Sequence, residues 1–94
     1  MGVPTELVTK LAIQFRVKNF VETGTYYGGT AFWASKFFKN ILTIEYSDEL
    51  YKTVKTKYKD IDNIEFLFGD SRTQLKEINQ RLDNPAIIWL DAHW

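Results

Sequence analysis

The sequence predicts an α/β protein with a parallel sheet of four strands in the order 3-2-1-4 and helices on both faces. Helical and strand patterns alternate along the 94 residues. Strands that alternate with helices form parallel sheets through right-handed crossovers. Each predicted strand also ends at an acidic residue, namely Glu22, Glu45, Asp70 and Asp91. Because ligands of open parallel sheets bind beyond the carboxyl ends of the strands, we expect these acids to surround one site.

The first half of the chain is predicted to contain two helices and two strands. Pro4 and Thr5 can open a helix, and apolar residues then recur at helical spacing at Leu7, Val8, Leu11, Ala12 and Phe15. Residues 19–23 form a short apolar run that predicts the first strand. A second helix is expected from about residue 29 to residue 38, and residues 41–44 read as the second strand.

The second half repeats the alternation. Ser47 is the predicted N-cap of a third helix, whose lysine-rich face we interpret as solvated. Residues 64–68 alternate as a third strand, and Ser71 with Gln74 has the spacing of a capping box that opens a fourth helix. Residues 86–90 are an unbroken apolar run, as expected of a parallel strand buried on both faces.

Composition limits the classes of protein and partner. The length allows one domain, residues 1–94. The formal net charge is zero, which removes the usual electrostatic reason to expect a nucleic acid or an anionic membrane as partner. The chain has no cysteine, so thiolate catalysis and zinc–sulfur sites are excluded and a cytoplasmic location is favoured. It has no apolar segment typical of a signal peptide or a membrane span.

Three glycines follow the first predicted strand, at Gly24, Gly28 and Gly29. A strand, a glycine loop and a helix in succession let the backbone approach a nucleotide closely. Tyr26 stands where the dinucleotide fingerprint G-x-G-x-x-G has its second glycine, the one that admits a pyrophosphate. Glu22 also suits a ligand that carries an amine or a sulfonium better than a pyrophosphate. An NAD-binding domain is therefore the less favoured alternative.

The acids that end the other strands have separate expected roles. Glu45 follows Gly24 by 21 residues, close to the spacing at which an acid accepts hydrogen bonds from ribose hydroxyls. Asp70 and Ser71 can bind an adenine edge, although helix capping is the favoured interpretation of Ser71. Asp91 and His93 follow the last strand, near the expected position of a transferred group. As a lone histidine, His93 is favoured to be structural or merely exposed, and its spacing from Asp91 keeps a catalytic or metal-site role open.

These motifs together resemble class I S-adenosylmethionine-dependent methyltransferases, which have a Rossmann-like fold. Glu22-x-Gly24-x-x-x-Gly28 looks like motif I of that family, and Glu45 matches its ribose-binding acid. Gly69-Asp70-Ser71 is similar to the adenine-side motif. Leu90-Asp91-Ala92-His93 resembles the segment after strand 4 in the small-molecule O-methyltransferase branch. The resemblance covers residues 5–94.

The resemblance implies a cofactor, a reaction and a set of site residues. S-adenosylmethionine would be bound by Glu22, Gly24, Thr25, Tyr26, Gly28, Glu45, Tyr46, Asp70 and Ser71. Within that set Glu22 and Gly24 would border the methionine moiety. Asp91 and His93 would be catalytic, with Asp91 as a base or a ligand of Mg²⁺ that lowers the pKa of the substrate hydroxyl. The methyl acceptor would be a small-molecule hydroxyl or amine.

The resemblance also implies that the chain is the N-terminal half of a longer protein. The family's sheet has seven strands, so strand 4 would become an edge that presents apolar residues and unpaired backbone. We therefore expect either further chain or a homodimer in which strand 4 pairs with its counterpart across a two-fold axis. We do not expect the 94 residues alone to be active. A nucleotide-binding or self-association module without catalysis is the alternative from a different functional class.

Overall fold

A computed structural model describes residues 4–82 and 85–90, in which helices and strands alternate throughout. The elements are α1 (Thr5–Phe15), β1 (Asn19–Thr23), α2 (Gly29–Ala34), β2 (Asn40–Glu45), α3 (Asp48–Lys57), β3 (Ile64–Phe68), α4 (Ser71–Arg81) and β4 (Ala86–Leu90). All strand pairs are parallel, and the sheet order is β3-β2-β1-β4. The predicted fold class and strand order are confirmed. None of the helices in the described ranges is long and apolar enough to cross a membrane.

The central strand β1 is fully buried and divides the core into two halves. Phe20 lies in register with Ile41 on β2 and Ile87 on β4, and packs beneath α1 and α2. The next residue, Val21, faces the opposite side and packs with Ile78 of α4. Alternate strand residues thus serve opposite faces of the sheet, which is why helices cover both.

Helix α1 uses only part of its predicted apolar stripe. Val8 is buried and Ala12 packs against the same cluster, whereas Leu7, Leu11 and Phe15 are exposed. The helix therefore contacts the sheet along one edge of the stripe. The other edge of the stripe stays in contact with solvent.

Helix α2 is shorter than predicted, because it ends at Ala34 rather than near Phe38. The chain continues through tighter turns, in which the Phe37 N–H donates to the Ala34 carbonyl at 3.0 Å. Asn63 then donates from its side-chain amide to the carbonyls of Ser35 (2.8 Å) and Phe38 (3.1 Å). These bonds satisfy carbonyls that a longer helix would have paired internally.

One of the two predicted helix caps is confirmed and the other is wrong. The Ser47 hydroxyl accepts from the Leu50 N–H at 3.3 Å and caps α3 as expected. Helix α4 is capped by Asp70, whose carboxylate accepts from the Arg72 N–H at 3.3 Å. Gly69, at φ 138°, turns the chain out of β3 and leaves Asp70 as the extended residue before the helix. Ser71 is therefore the first helical residue and is buried.

The far end of α4 is attached to the third strand. Arg81 makes two hydrogen bonds to the Glu65 carboxylate, at 3.1 and 3.2 Å. The hydrogen bonding and charge of Glu65 raise the pKa of the Arg81 guanidinium above its ordinary value. This bidentate pair joins the last turn of α4 to β3 at the protein surface.

Candidate functional site

A cleft of about 700 Å³ opens at the carboxyl edge of the sheet. It is formed by the turns that follow β1, β2 and β3. Six of the nine predicted cofactor residues line it: Gly24, Tyr26, Glu45, Tyr46, Asp70 and Ser71. These six residues therefore lie around one cleft, and their role in binding a cofactor stays a prediction.

Five further residues line the same cleft and were not among the nine predicted cofactor residues, although Gly69 belongs to the adenine-side motif: Ile44, Ser47, Leu50, Gly69 and Arg72. Each of them lies within five positions of a strand-end acid, so their proximity in sequence was the available signal. Ile44 and Leu50 give the cleft an apolar wall, while Arg72 places a cation at its rim. The cleft thus combines an apolar surface with acids and one guanidinium.

The glycine loop between β1 and α2 begins and ends with glycines in left-handed conformations. Gly24 has φ 83° and Gly28 has φ 84°. The Gly24 N–H donates to the Ile44 carbonyl at 2.8 Å, and the Gly28 N–H donates to the Thr25 carbonyl at 2.9 Å. These angles suit glycine because it has no Cβ. The loop is therefore a tight turn that lies close against the end of β2.

Glu45 connects this loop to the next turn of the chain. Its side chain is buried, with 6% of the residue exposed. Oε1 accepts from the Tyr26 N–H at 2.8 Å, and Oε2 accepts from the Ser47 N–H at 2.9 Å. We call these two bonds the Glu45 bridge. Since each carboxylate oxygen can accept two hydrogen bonds, the bridge leaves acceptor capacity for ligand hydroxyls.

Glu22 lies beneath the glycine loop, and its residue is only 2% exposed. It stands opposite Thr43 in the β1–β2 register and accepts from the Thr43 hydroxyl at 2.8 Å. The hydroxyls of Thr43 and Thr25 are 2.7 Å apart. Because the single Thr43 proton goes to Glu22, Thr25 must donate to Thr43. Glu22 and Thr25 therefore form a buried polar chain under the site, and neither residue is part of the cleft lining.

The loop is also supported by an aromatic stack. The Tyr58 ring lies between Phe32 of α2 and Phe66 of β3, at centroid distances of 5.5 and 6.3 Å. Tyr58 lies against Gly28 at the C-terminal end of the loop, and Gly28 is not part of the cleft lining. The Tyr58 ring thus contacts both the loop, at Gly28, and Phe66 of the third strand.

The two predicted catalytic residues, Asp91 and His93, lie outside the described residues. The metal role predicted for Asp91 falls there as well. Among residues 4–82 and 85–90, no group of three or more His, Cys, Asp or Glu side chains is placed to hold a metal ion.

Comparison with known proteins reveals similarity at the level of structure. No protein-family model matches the sequence, and no curated protein is significantly similar to it. An O-methyltransferase from Bacillus cereus, solved in complex with SAH, superposes with a TM-score of 0.74 at 21% identity, over 96% of this chain and 45% of that one. The O-methyltransferase TomG from Streptomyces achromogenes, involved in tomaymycin synthesis and solved with SAM, gives 0.64 at 19%, over 93% and 42%. A Klebsiella pneumoniae protein proposed to be an O-methyltransferase gives 0.68 at 20%, over 96% and 44%.

The chain therefore has the fold of class I S-adenosylmethionine-dependent methyltransferases. Within that fold it corresponds to the N-terminal part, with the four strands in the predicted order. The chain spans less than half the length of each of these three structures.

Proposed function

We propose that this chain is the cofactor-binding part of an S-adenosylmethionine-dependent methyltransferase. The observation that carries the proposal is the cleft itself, in which buried Glu45 stands between the glycine loop and the turn at Asp70. The volume is in the range of small-ligand pockets, roughly 300–1,000 Å³. Two of the O-methyltransferases with this fold were crystallised with SAM or SAH, which supports the choice of ligand.

The lining suggests how the ligand would lie. The ribose hydroxyls would donate to the remaining acceptor positions on Glu45, because a carboxylate can accept from both hydroxyls of a diol. The adenine would contact the apolar wall of Ile44 and Leu50, with Asp70 at its polar edge. The methionine moiety would extend towards Gly24. In that pose the positive sulfonium would approach the end of β1, where Glu22 lies beneath the loop.

The reaction would be transfer of the methyl group from the sulfonium to a small-molecule hydroxyl or amine. The S–CH₃ bond breaks as the new O–CH₃ or N–CH₃ bond forms, and the acceptor loses its proton. That Asp91 or His93 takes this proton stays a prediction. The binding of Mg²⁺ by Asp91 stays a prediction as well. The protein would contribute by holding acceptor, methyl group and sulfur in line. A cytoplasmic location, without nucleic-acid or membrane partners, also stays a prediction from composition.

Self-association is a second candidate function, favoured by the surface of β4. Ile88 is 52% exposed and Leu90 is 67% exposed, although both belong to an apolar strand. Among the described residues β4 pairs with β1 alone. A second copy that pairs with this edge would cover both side chains in a homodimer.

Calorimetric titration with S-adenosylhomocysteine and with NAD tests the proposed ligand. We expect micromolar binding of S-adenosylhomocysteine and much weaker binding of NAD, because Tyr26 occupies the position of the pyrophosphate-admitting glycine. Tighter binding of NAD, or binding of neither ligand, would contradict the proposal. Light scattering tests the second candidate, and a monomer at tens of micromolar would count against the dimer.

A further inference from the structure

The glycine loop contains a turn whose second residue has an unusual conformation. The Gly28 N–H donates to the Thr25 carbonyl at 2.9 Å, which closes a four-residue turn. Tyr26 is the second residue of this turn and has φ 51°. Turns with a positive φ at this position are built mainly from glycine, asparagine or aspartate. A tyrosine there is disfavoured by a factor of roughly 5 to 30, because its Cβ approaches the following carbonyl.

The Glu45 bridge acts on this same residue. The Tyr26 N–H donates to Glu45 Oε1 at 2.8 Å, while Ser47 holds the other oxygen. A hydrogen bond to a buried carboxylate favours the bonded conformation by a factor of roughly 10 to 150. That factor is large enough to offset the disfavoured φ of a tyrosine. The stabilisation from the Glu45 bridge therefore offsets the conformational cost of the turn at Tyr26.

Two other contacts of the loop differ from this bond in strength or in position. The Tyr58 hydroxyl reaches the Tyr27 carbonyl only at 3.5 Å, the upper limit for a hydrogen bond. The bonds from the Gly24 and Thr25 N–H groups to the Ile44 carbonyl fix the start of the loop, before the turn. The Glu45 carboxylate is a charged acceptor that bonds directly to the backbone of the disfavoured residue.

We propose that Glu45 is a positioning residue, which sets the conformation of the glycine loop before any ligand binds. The role deepens the proposed function and rests on it, since the loop set in this way is the one that would receive the methionine half of the cofactor. One carboxylate would then both shape the site and accept the ribose. A ligand that binds Glu45 would find the loop already in place, and would not need to order it.

Amide hydrogen exchange on the ligand-free 94-residue chain tests this role. The Gly28 N–H reports closure of the turn, yet makes no contact with Glu45. In Glu45→Ala the exchange of the Gly28 N–H should become roughly tenfold faster. The exchange of the Thr43 N–H, which is buried in β2, serves as the reference for general opening of the protein, and the Gly28 rate is compared with it. The matched control is Glu49→Ala on the exposed face of α3, which should leave Gly28 exchange unchanged. An unchanged Gly28 rate in Glu45→Ala would overturn the proposal.

A second variant separates positioning from a general loss of structure. Glycine adopts positive φ without penalty, so adding Tyr26→Gly to Glu45→Ala should slow Gly28 exchange again by roughly fivefold. A double variant that exchanges as fast as Glu45→Ala contradicts the role. If Glu45→Ala alone does not fold, a folded double variant supports the role and an unfolded one overturns it.

The outcome is distinguishable from that of the proposed function. If Gly28 exchange responds as expected but S-adenosylhomocysteine does not bind, the positioning role stands and the proposed ligand fails. If the ligand binds and Gly28 exchange is insensitive to Glu45, the proposed function stands and the positioning role fails.

Discussion

Gly28 lies directly against the ring of Tyr58. A Cβ added to Gly28 would come within 2.5 Å of Tyr58 Cε2, and Gly28 also has a left-handed φ of 84°. The Tyr58 ring is held between Phe32 and Phe66, so it has little room to move away. Two independent requirements therefore select glycine at the C-terminal end of the loop.

Gly28→Ala should lower the free energy of unfolding by about 3 kcal/mol, the sum of a disfavoured φ and an overpacked contact. Urea unfolding measures this change. The matched control is Gly29→Ala, whose Cβ would meet no atom within 4 Å. It opens α2, so alanine there should stabilise the protein slightly, by up to about 1 kcal/mol. Equal effects of the two substitutions would show that the Tyr58 contact and the backbone angle are unimportant.

Glu45→Ala should weaken binding of S-adenosylhomocysteine by about 1.5–3 kcal/mol, through loss of hydrogen bonds to a charged acceptor. Calorimetric titration gives the affinity. Glu49→Ala removes the same type of side chain from an exposed position four residues away and should leave the affinity unchanged. If the two variants bind the ligand equally well, the ribose does not contact Glu45.

Thr43→Val should cost about 2 kcal/mol of stability, because it removes the hydroxyl that links Thr25 to the buried Glu22 carboxylate. Urea unfolding is again the measurement. Thr53→Val is the control, since the Thr53 hydroxyl is exposed and bonds only within its own helix. It should change stability by no more than about 0.5 kcal/mol. A Thr43→Val protein as stable as the control would mean that the polar chain contributes nothing net.

Leu90→Lys should convert a dimer into a monomer without loss of stability, because lysine on an edge strand opposes pairing with another strand. Light scattering across a range of concentrations reports the mass. Ile13→Lys introduces the same charge at an exposed position of α1 and should leave the mass unchanged. Loss of the dimer in both variants would indicate an interface that includes α1.

The fold was predictable because its signals are local in sequence. The apolar run at residues 86–90 and the alternation at residues 64–68 each mark a strand without reference to any other part of the chain. The end of α2 was not predictable in this way. It depends on Asn63, which reaches back to Ser35 and Phe38 from the start of another strand. The cap of α4 was misplaced by one residue because its position depends on the backbone angles of Gly69 and Asp70, which the sequence pattern does not specify.

The candidate site was likewise predictable only in part. The placement of Glu22, Glu45 and Asp70 at one edge of the sheet was predictable, because parallel topology brings the carboxyl ends of the strands together. The contacts that each acid makes were not predictable from the sequence. Glu22 is covered because β1–β2 register places Thr43 beside it, and Tyr26 has a left-handed φ beside a carboxylate 19 positions away. These contacts join a side chain to a different strand or loop, and no periodicity in the sequence encodes them.

The lining of the cleft has one further consequence. Every described lining residue falls within the unbroken stretch from Gly24 to Arg72, which contains β2 and β3 but not β4. Substitutions in β1, α1 or β4 can therefore alter this pocket only by shifting the sheet and helices that support it, because none of those elements contributes a side chain to the described lining.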